Sequence, residues 1–319
     1  MVLSEDPART KGSILVIRGG AIGDFILTLP VFRALREAFP DTRIEALAYP
    51  KIAKLGEISG TLDATRPIEA RPLAGFFARR GALDAGFRTY FSRFSIIVSY
   101  LYDPDEFFQN NVRSCSDAQF ILGPFRPDES SDTHATDALL EPLNALAVFN
   151  ADAAPQIPVS PNLEWRQPQE RWLAIHPGSG SERKNWPEAR WAEALTRWKE
   201  ALSCNFLIVG GEAEGDRLDT LATVLPPDRV QVKKSLPLDQ LASVLASCDG
   251  FVGHDSGISH LAAAVGARGV VLWGETNDKV WRPRSDAFHV LKAVEGLDHL
   301  SFEEVDAAVS ARLGDRLRP

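Results

Sequence analysis

The chain has 319 residues, 45% hydrophobic and 24% charged, with a formal net charge of −8 at pH 7. That length exceeds one ordinary core and suits two domains of roughly 150 residues each, with the composition of a globular protein. The negative balance argues against a general nucleic-acid binder, and no apolar run approaches the roughly 20 residues that span a bilayer.

The first stretch, Met1 to Lys11, is polar and lacks the apolar segment of a secretory signal. Cys115, Cys204 and Cys248 are unclustered and odd in number, which fits neither a zinc spacing nor a disulfide framework and predicts a cytoplasmic, reducing compartment. Ser13-Ile14-Leu15-Val16-Ile17 is a continuous apolar run, the pattern of a strand buried on both faces of a parallel sheet. The glycine-rich turn Arg18-Gly19-Gly20-Ala21-Ile22-Gly23-Asp24 follows, then a helix to about residue 39, where Pro40-Asp41 stops it. Pro30 is awkward in a helix interior. Either the helix begins near Thr28 with proline in its first turn, or it begins near Phe25 and kinks at Pro30. Strands are expected over 43–48, 94–100 and 120–122, and a helix over 137–149, where Leu139, Leu140, Leu143 and Leu146 share a face.

Between Arg66 and Arg93 lie six arginines (Arg66, Arg71, Arg79, Arg80, Arg88 and Arg93) against only Glu69 and Asp84, interleaved with Phe76, Phe77, Phe87, Tyr90 and Phe91. Two readings stand: a solvated helical face above core aromatics, or a patch for an anionic, membrane-borne partner.

Residues 153–168 carry Pro155, Pro158, Pro161 and Pro168 and read as an extended linker, which sets the predicted domains at 1–155 and 156–319. Beyond it, strands are expected at 172–175, 205–209, 229–232, 269–273 and 288–291. Helices are expected from Pro187 to about 202, through 225, over 239–247 and over 302–313. The last of these helices is free to pack back on the first domain. Within 250–264 an apolar strand passes through a sharp polar turn into a helix of small and apolar residues. Strands alternating with helices in both halves imply two doubly wound, Rossmann-like α/β domains with parallel sheets facing a central cleft.

The polar, glycine-rich turns at 18–24, 176–186, 210–214, 253–257 and 273–278 all follow strands. They therefore open at strand C-termini, where such sheets bind ligands. The first turn holds Gly19, Gly20 and Gly23 but lacks the dinucleotide-binding spacing, and an acid there would repel a pyrophosphate. Asp24 is accordingly read as a general base or as a helix N-cap. In the second half, Ser179, Gly180, Ser181 and Lys184 offer hydroxyls, amides and a cation, and Ser256-Gly257 adds a helix N-terminus. Together they suit a diphosphate held without metal. Glu212 or Glu214 is placed to accept from ribose hydroxyls, and His260 is either a satisfied core residue or part of the site. Asp103-Pro104-Asp105 has the form of an acidic pair that holds a divalent metal in some sugar-nucleotide enzymes, a three-residue match that arises readily by chance. No Ser/His/Asp order, paired-histidine motif or Walker loop is present.

The sequence resembles glycosyltransferase family 9, the bacterial lipopolysaccharide heptosyltransferases. The resemblance rests on residues 14–24 with Leu29-Pro30, on His176-Pro177-Gly178 leading to Lys184-Asn185-Trp186-Pro187, and on the block from Gly253 to Ala263. Residues from about 50 to 165 show little beyond the general strand pattern. The resemblance implies a GT-B fold, with the acceptor on the first domain and an ADP-activated heptose on the second. It further implies metal-free transfer with inversion, no cofactor beyond the ADP-sugar substrate, and an anionic glycolipid or glycan acceptor. On this likeness Asp24 is the base and Lys184 binds the diphosphate, with Ser179 and Gly180 at the hydroxyl positions. Asp255, Ser256, Gly257 and His260 form the second motif, Glu214 takes the ribose, and a base-packing position falls near Leu236. The family's Gly-Pro-Thr-Asp-Pro loop is here Gly274-Glu275-Thr276-Asn277-Asp278, so Glu275 and Thr276 face the donor sugar with Glu275 in the place of a proline. Ser181 stands ready to compensate for Gly180.

The expected chemistry is proton removal by Asp24 from an acceptor hydroxyl, with Lys184 and the amides at Ser256-Gly257 stabilising the departing diphosphate. An epimerase acting on the donor alone and a non-catalytic nucleotide-binding module are the alternatives. The chain is expected in the cytoplasm, with peripheral contact at the inner face of the cytoplasmic membrane on the second reading of the Arg66–Arg93 segment.

Overall fold

A computed structural model describes residues 12–167, 169–211 and 214–317. Pro168, Glu212 and the polar N-terminal stretch therefore lie outside the described residues. The chain divides into two units, Met1–Ala153 and Ala154–Pro319.

The N-terminal unit is built on five strands: β1 (Ser13–Ile17), β2 (Arg43–Ala48), β3 (Ala64–Pro67), β4 (Ile96–Ser99) and β5 (Gln119–Leu122). They pair in the order β3-β2-β1-β4-β5, every neighbour parallel. β1 sits in the middle, and from Ile14 to Ile17 it is buried on both faces, which is why its sequence is apolar without alternation. Between the strands run α1 (Ile22–Ala38), α2 (Pro50–Ile58), α3 (Ala85–Phe91) and α4 (Phe107–Arg113), with α5 (Ala135–Leu140) after β5.

Three sequence expectations change here. Helix α1 begins at Ile22, so Pro30 lies well inside it, and the carbonyl four residues back gets no bond from a proline N–H. Strand β3 was not anticipated. Its four residues, Ala-Thr-Arg-Pro, carry no strand-like run, and its position at the sheet edge excuses the proline from donating. The helix expected over 137–149 is α5 followed by a 3-10 turn, Glu141–Leu146, because Pro142 cannot donate to continue the α-helix.

The C-terminal unit carries β6 (Trp172–Ile175), β7 (Asn205–Gly210), β8 (Val230–Lys234), β9 (Gly250–His254), β10 (Gly269–Trp273) and β11 (Phe288–Lys292). Its order is β11-β10-β9-β6-β7-β8, again wholly parallel. Its helices are α6 (Glu188–Ala201), α7 (Arg217–Ala222), α8 (Leu238–Leu245), α9 (Gly257–Ala264), α10 (Asp278–Trp281) and α11 (Phe302–Leu317). Trp186, Trp191, Trp198 and Phe206 fill its core. The apolar face of α11 (Val305, Val309, Leu313 and Leu317) belongs to the same core, with Leu313 against Gly250 of β9, so the helix that could have packed on the first domain spends that face within the C-terminal unit.

The proline-bearing stretch is tied down. Ile157 N–H donates to Ala264 at 2.8 Å and Asn162 N–H to Ser243 at 2.9 Å, both within the C-terminal unit. In both sheets the order reverses beside the first strand of the unit, at β1/β4 and at β6/β9. The turns leaving these strands are where a ligand is expected.

Candidate active site

In the N-terminal unit, the turn after β1 presents Asp24 as the third residue of α1. Asp24 Oδ2 accepts from Ala21 N–H at 2.8 Å, so the acid is not the N-cap itself: Ala21 holds that position, and Asp24 reaches back to it from the third residue of the helix. Asp24 Oδ1 lies 3.2 Å from Arg18 Nη2, and the carboxylate remains 33% exposed. Each carboxylate oxygen thus has one partner and a further lone pair, so capping the helix leaves room to take a proton. Gly20 is at φ 96°, and a Cβ there would lie 2.6 Å from Asp24 Oδ2, which makes glycine a requirement of the turn. Gly19 has ordinary space around it, and Gly23 is simply the second residue of the helix.

Arg18 was given no role from the sequence, yet it holds Asp24 in place. It is 3% exposed and donates from Nη1 to Phe125 O at 2.9 Å and from Nε to the main-chain oxygen of Asp24 at 3.4 Å. Burial pushes its pKa down, with Asp24 acting in the opposite direction. Beneath it, Tyr100 donates its hydroxyl to Leu139 O at 2.6 Å, and burial raises its pKa, so it stays a neutral donor. Asp103 accepts from Phe108 N–H at 3.1 Å and Gln109 N–H at 2.9 Å, so this acid of the Asp103-Pro104-Asp105 pair is engaged by the first turn of α4. No group of three or more metal-ligating side chains occurs among the described residues.

In the C-terminal unit, neighbouring strands β6 and β9 bring their turns together. Lys184, in the 3-10 turn Glu182–Lys184, places Nζ 2.5 Å from Asp255 Oδ2. Ser256 is the N-cap of α9, and Gly257 its first residue; the leading N–H groups of that helix have no partner within it. Ser179 Oγ lies 2.8 Å from Ser181 O and 2.7 Å from Asn185 Oδ1, which fastens the turn. Gly180 is at φ 76° with open space beside it, and Ser181 is exposed.

Glu214 is buried. Its Oε2 accepts from Gly211 N–H at 2.6 Å and its Oε1 lies 4.0 Å from His176 Nε2. A Cβ on Gly178 would stand 1.9 Å from that oxygen, so the glutamate fills the space a larger residue would need. His176 Nδ1 is 3.3 Å from Ser256 Oγ, so one imidazole lies between Glu214 and the helix cap. His254 accepts from Trp186 N–H through Nε2 at 2.9 Å, leaving Nδ1 to donate toward Gly178 O at 3.3 Å. Burial drives the His254 pKa down to about 3, and lowers that of His176 against the opposing charge of Glu214, so both imidazoles are neutral. Both histidines lie in the motif blocks quoted from the sequence, which assigned neither of them a role. Their shared position is the C-terminal end of a central strand: His176 follows β6 and His254 is the last residue of β9.

His260 is buried one turn into α9. Leu236 is half-buried in the turn after β8, next to Ser235 at φ 50°. Thr276 accepts at its carbonyl from Trp273 Nε1 at 2.7 Å, and exposed Glu275 lines a cavity of about 380 Å³ with Glu182, Arg183, Asn185, Glu295 and Asp298. The structure therefore gathers Ser179, Lys184, Glu214, Asp255, Ser256 and Gly257 into one set of strand-end turns, while Glu275 and Leu236 stand on neighbouring turns.

The arginine-rich segment divides between core and surface, as the reading of a solvated face above core aromatics expects. Phe76, Phe87, Tyr90 and Phe91 are core, with Arg66 and Arg93 lying 4.2 and 5.2 Å over the Tyr90 ring. Arg71, Arg79, Arg80 and Arg88 face solvent beside Phe77, which is 44% exposed. No helix among the described residues is long and apolar enough to cross a membrane.

A family model described as glycosyltransferase family 9 (heptosyltransferase) matches residues 144–306, just over half of the chain. The chain belongs to glycosyltransferase family 9. As a member of that family it is a glycosyltransferase, and its two doubly wound parallel-sheet units are the α/β domains of the GT-B fold. Lipopolysaccharide heptosyltransferase 2 of Escherichia coli (strain K12) is 22% identical over 325 residues, covering 89% of this chain and 88% of the relative. The structure of a family 9 glycosyltransferase from Veillonella parvula superposes with a TM-score of 0.78 at 19% identity, covering 95% of this chain and 98% of that one. The E. coli heptosyltransferase WaaC, solved with ADP-2-deoxy-2-fluoro heptose, gives 0.72 at 17% identity, covering 94% and 99%.

Proposed function

We propose that this family 9 enzyme transfers a heptose, or a related sugar, from an ADP-sugar to a hydroxyl of a lipopolysaccharide-core-type glycan, inverting the anomeric centre. The observation that carries the donor half is the linked set Lys184–Asp255, Ser256–His176 and His176–Glu214 at the ends of β6, β7 and β9. Lys184 exchanges Asp255 for the diphosphate, and the first amides of α9 meet its oxygens with the positive end of the helix dipole. Glu214, already an acceptor for Gly211 N–H, has a second oxygen for ribose hydroxyls. A relative solved with an ADP-heptose analogue supports the nucleotide and the sugar class.

On the acceptor side, Asp24 takes the proton of the attacking hydroxyl. Arg18 holds the carboxylate in place and balances its charge. Growth of negative charge on the leaving diphosphate is met by Lys184 and the α9 amides, which are fixed before the reaction begins. Exposed Arg71, Arg79, Arg80 and Arg88 with Phe77 rest the enzyme on an anionic membrane surface where a glycolipid acceptor is presented. Exposed Glu275 tunes the choice of donor sugar.

Product analysis tests this reading. With an ADP-heptose and a lipopolysaccharide-core acceptor, NMR should show a glycoside of inverted configuration. Conversion of the donor sugar without acceptor, or no product across core acceptors, would overturn it.

A further inference from the structure

Tyr102 and Phe125 are large, aromatic and exposed at 68% and 47%, and their rings touch in a tilted arrangement, with centroids 4.9 Å apart and planes at 55°. They leave the C-terminal ends of two paired strands, Tyr102 after β4 and Phe125 after β5. Exposed aromatics scattered singly need no explanation, whereas two that share a contact and remain open to solvent form a surface.

That surface is fastened at each point. Asp103, next to Tyr102, is engaged by the first turn of α4 through both carboxylate oxygens. Gly123 passes over the Tyr100 ring so closely that a Cβ would come within 2.2 Å of it, and Tyr100 is itself bonded to Leu139 O. Phe125 O accepts from Arg18 Nη1 at 2.9 Å, while Nη2 of the same guanidinium meets Asp24 Oδ1 at 3.2 Å. One buried arginine therefore spans the carboxylate proposed as base and the backbone that carries Phe125, one of the two rings. Two hydrogen bonds through one guanidinium connect the main chain at Phe125 to Asp24.

We infer that Tyr102 and Phe125 form a stacking platform for a sugar ring of the acceptor, holding it so that its hydroxyl meets Asp24. The inference rests on the proposed glycosyl transfer. Its physical basis is that an aromatic face carries partial negative charge and the axial C–H groups of a pyranose carry partial positive charge, so the two flat surfaces attract while both remain partly hydrated. Two rings tilted at 55° grip one such ring at a fixed angle, and the Tyr102 hydroxyl adds a hydrogen-bonding rim. Arg18 transmits that angle to the base. Substituting either side chain leaves the Phe125 carbonyl, and hence the Arg18 bridge, in place.

The test uses the full chain, a deacylated core oligosaccharide and an ADP-heptose. Tyr102→Leu and Phe125→Leu should each raise the acceptor KM about tenfold, the scale of an aromatic contact. Donor KM and thermal midpoint should not move, and Tyr102→Phe should restore most of the loss. NMR titration of the oligosaccharide alone should show the same weakening without any turnover. An unchanged acceptor KM and affinity in both leucine variants, with wild-type transfer intact, overturns the platform and spares the proposed function. A loss seen with the acylated glycolipid but not with the deacylated glycan assigns the rings to a lipid chain and overturns the sugar platform. If the wild-type chain transfers nothing, the proposed function falls, and ring-dependent glycan binding in the titration still upholds the platform. Absence of glycan binding in that titration overturns it.

Discussion

The two units have the same parallel architecture and use it differently. In the C-terminal unit the candidate residues form a connected set, with Lys184 on Asp255, Ser256 on His176 and Glu214 packed against Gly178. In the N-terminal unit a single carboxylate, Asp24, is held by one buried arginine and one backbone N–H and keeps a third of its surface open. A preformed, many-membered set suits binding a donor whose parts are known in advance, since each fixed group lowers the ordering cost of association. A lone, partly open carboxylate suits a proton transfer to an acceptor that arrives from solution. Changes in the first set should therefore act on donor affinity, and changes at Asp24 on turnover.

The largest expected effect separates these roles directly. Asp24→Asn keeps the size of the side chain and an acceptor for Ala21 N–H, and it should lower kcat by about 10²–10⁴-fold, the usual contribution of a positioned base. Steady-state kinetics with saturating donor check this. A variant retaining wild-type kcat would remove Asp24 from the chemistry.

A second effect belongs to the C-terminal unit alone. His254 titrates at about 3 in the folded chain against an ordinary 6.5, because burial disfavours its charged form. His176 is shifted in the same direction. The unfolded chain therefore binds more protons than the folded one below pH 6.5, and stability falls as pH drops from there toward 3. Calorimetric unfolding across that window should show the midpoint falling with acid, and His254→Asn should flatten the part of the slope that His254 contributes. A slope unchanged in that variant would contradict the burial of a neutral imidazole.

The smallest effect concerns the exposed arginines of the N-terminal unit. Each cation near an anionic bilayer contributes about 1 kcal/mol. Arg79→Ser with Arg80→Ser should therefore reduce sedimentation with vesicles rich in phosphatidylglycerol by about tenfold or more, while transfer to a deacylated acceptor stays unchanged. Equal binding of wild type and variant would leave the arginines to solvent.

How much of this was legible in the sequence follows from how local each feature is. Strands β1, β2, β6 and β10 appear at the residues expected, because continuous apolar runs between glycine-rich turns have one physical solution in a buried parallel sheet. Strand β3 was hidden, since Ala64–Pro67 earns its pairing from the neighbouring strand rather than from its own residues. The start of α1 was misjudged because Pro30 weighs against a helix locally, whereas burial on nearly all sides from Phe25 to Phe32 outweighs one missing hydrogen bond.

The same division runs through the site. Lys184 and Ser256-Gly257 were readable from turn chemistry. Their coupling was not, because Lys184 and Asp255 are joined only when β6 and β9 pair. Arg18 and His176 lie inside the quoted motifs, but they act by spanning residues far away in sequence, 107 positions for Arg18 to Phe125 and 80 for His176 to Ser256, so the motifs could not show their partners.

The account's central claim is that the C-terminal turns hold the leaving diphosphate while Asp24 serves the acceptor. Isothermal titration of ADP into wild type, Asp24→Asn and Lys184→Ala, run side by side, tests it most directly. Asp24→Asn should bind ADP as wild type does, and Lys184→Ala should bind about 10–100-fold more weakly, the scale of a charge-assisted hydrogen bond. Weakened binding in Asp24→Asn, or wild-type affinity in Lys184→Ala, would contradict it.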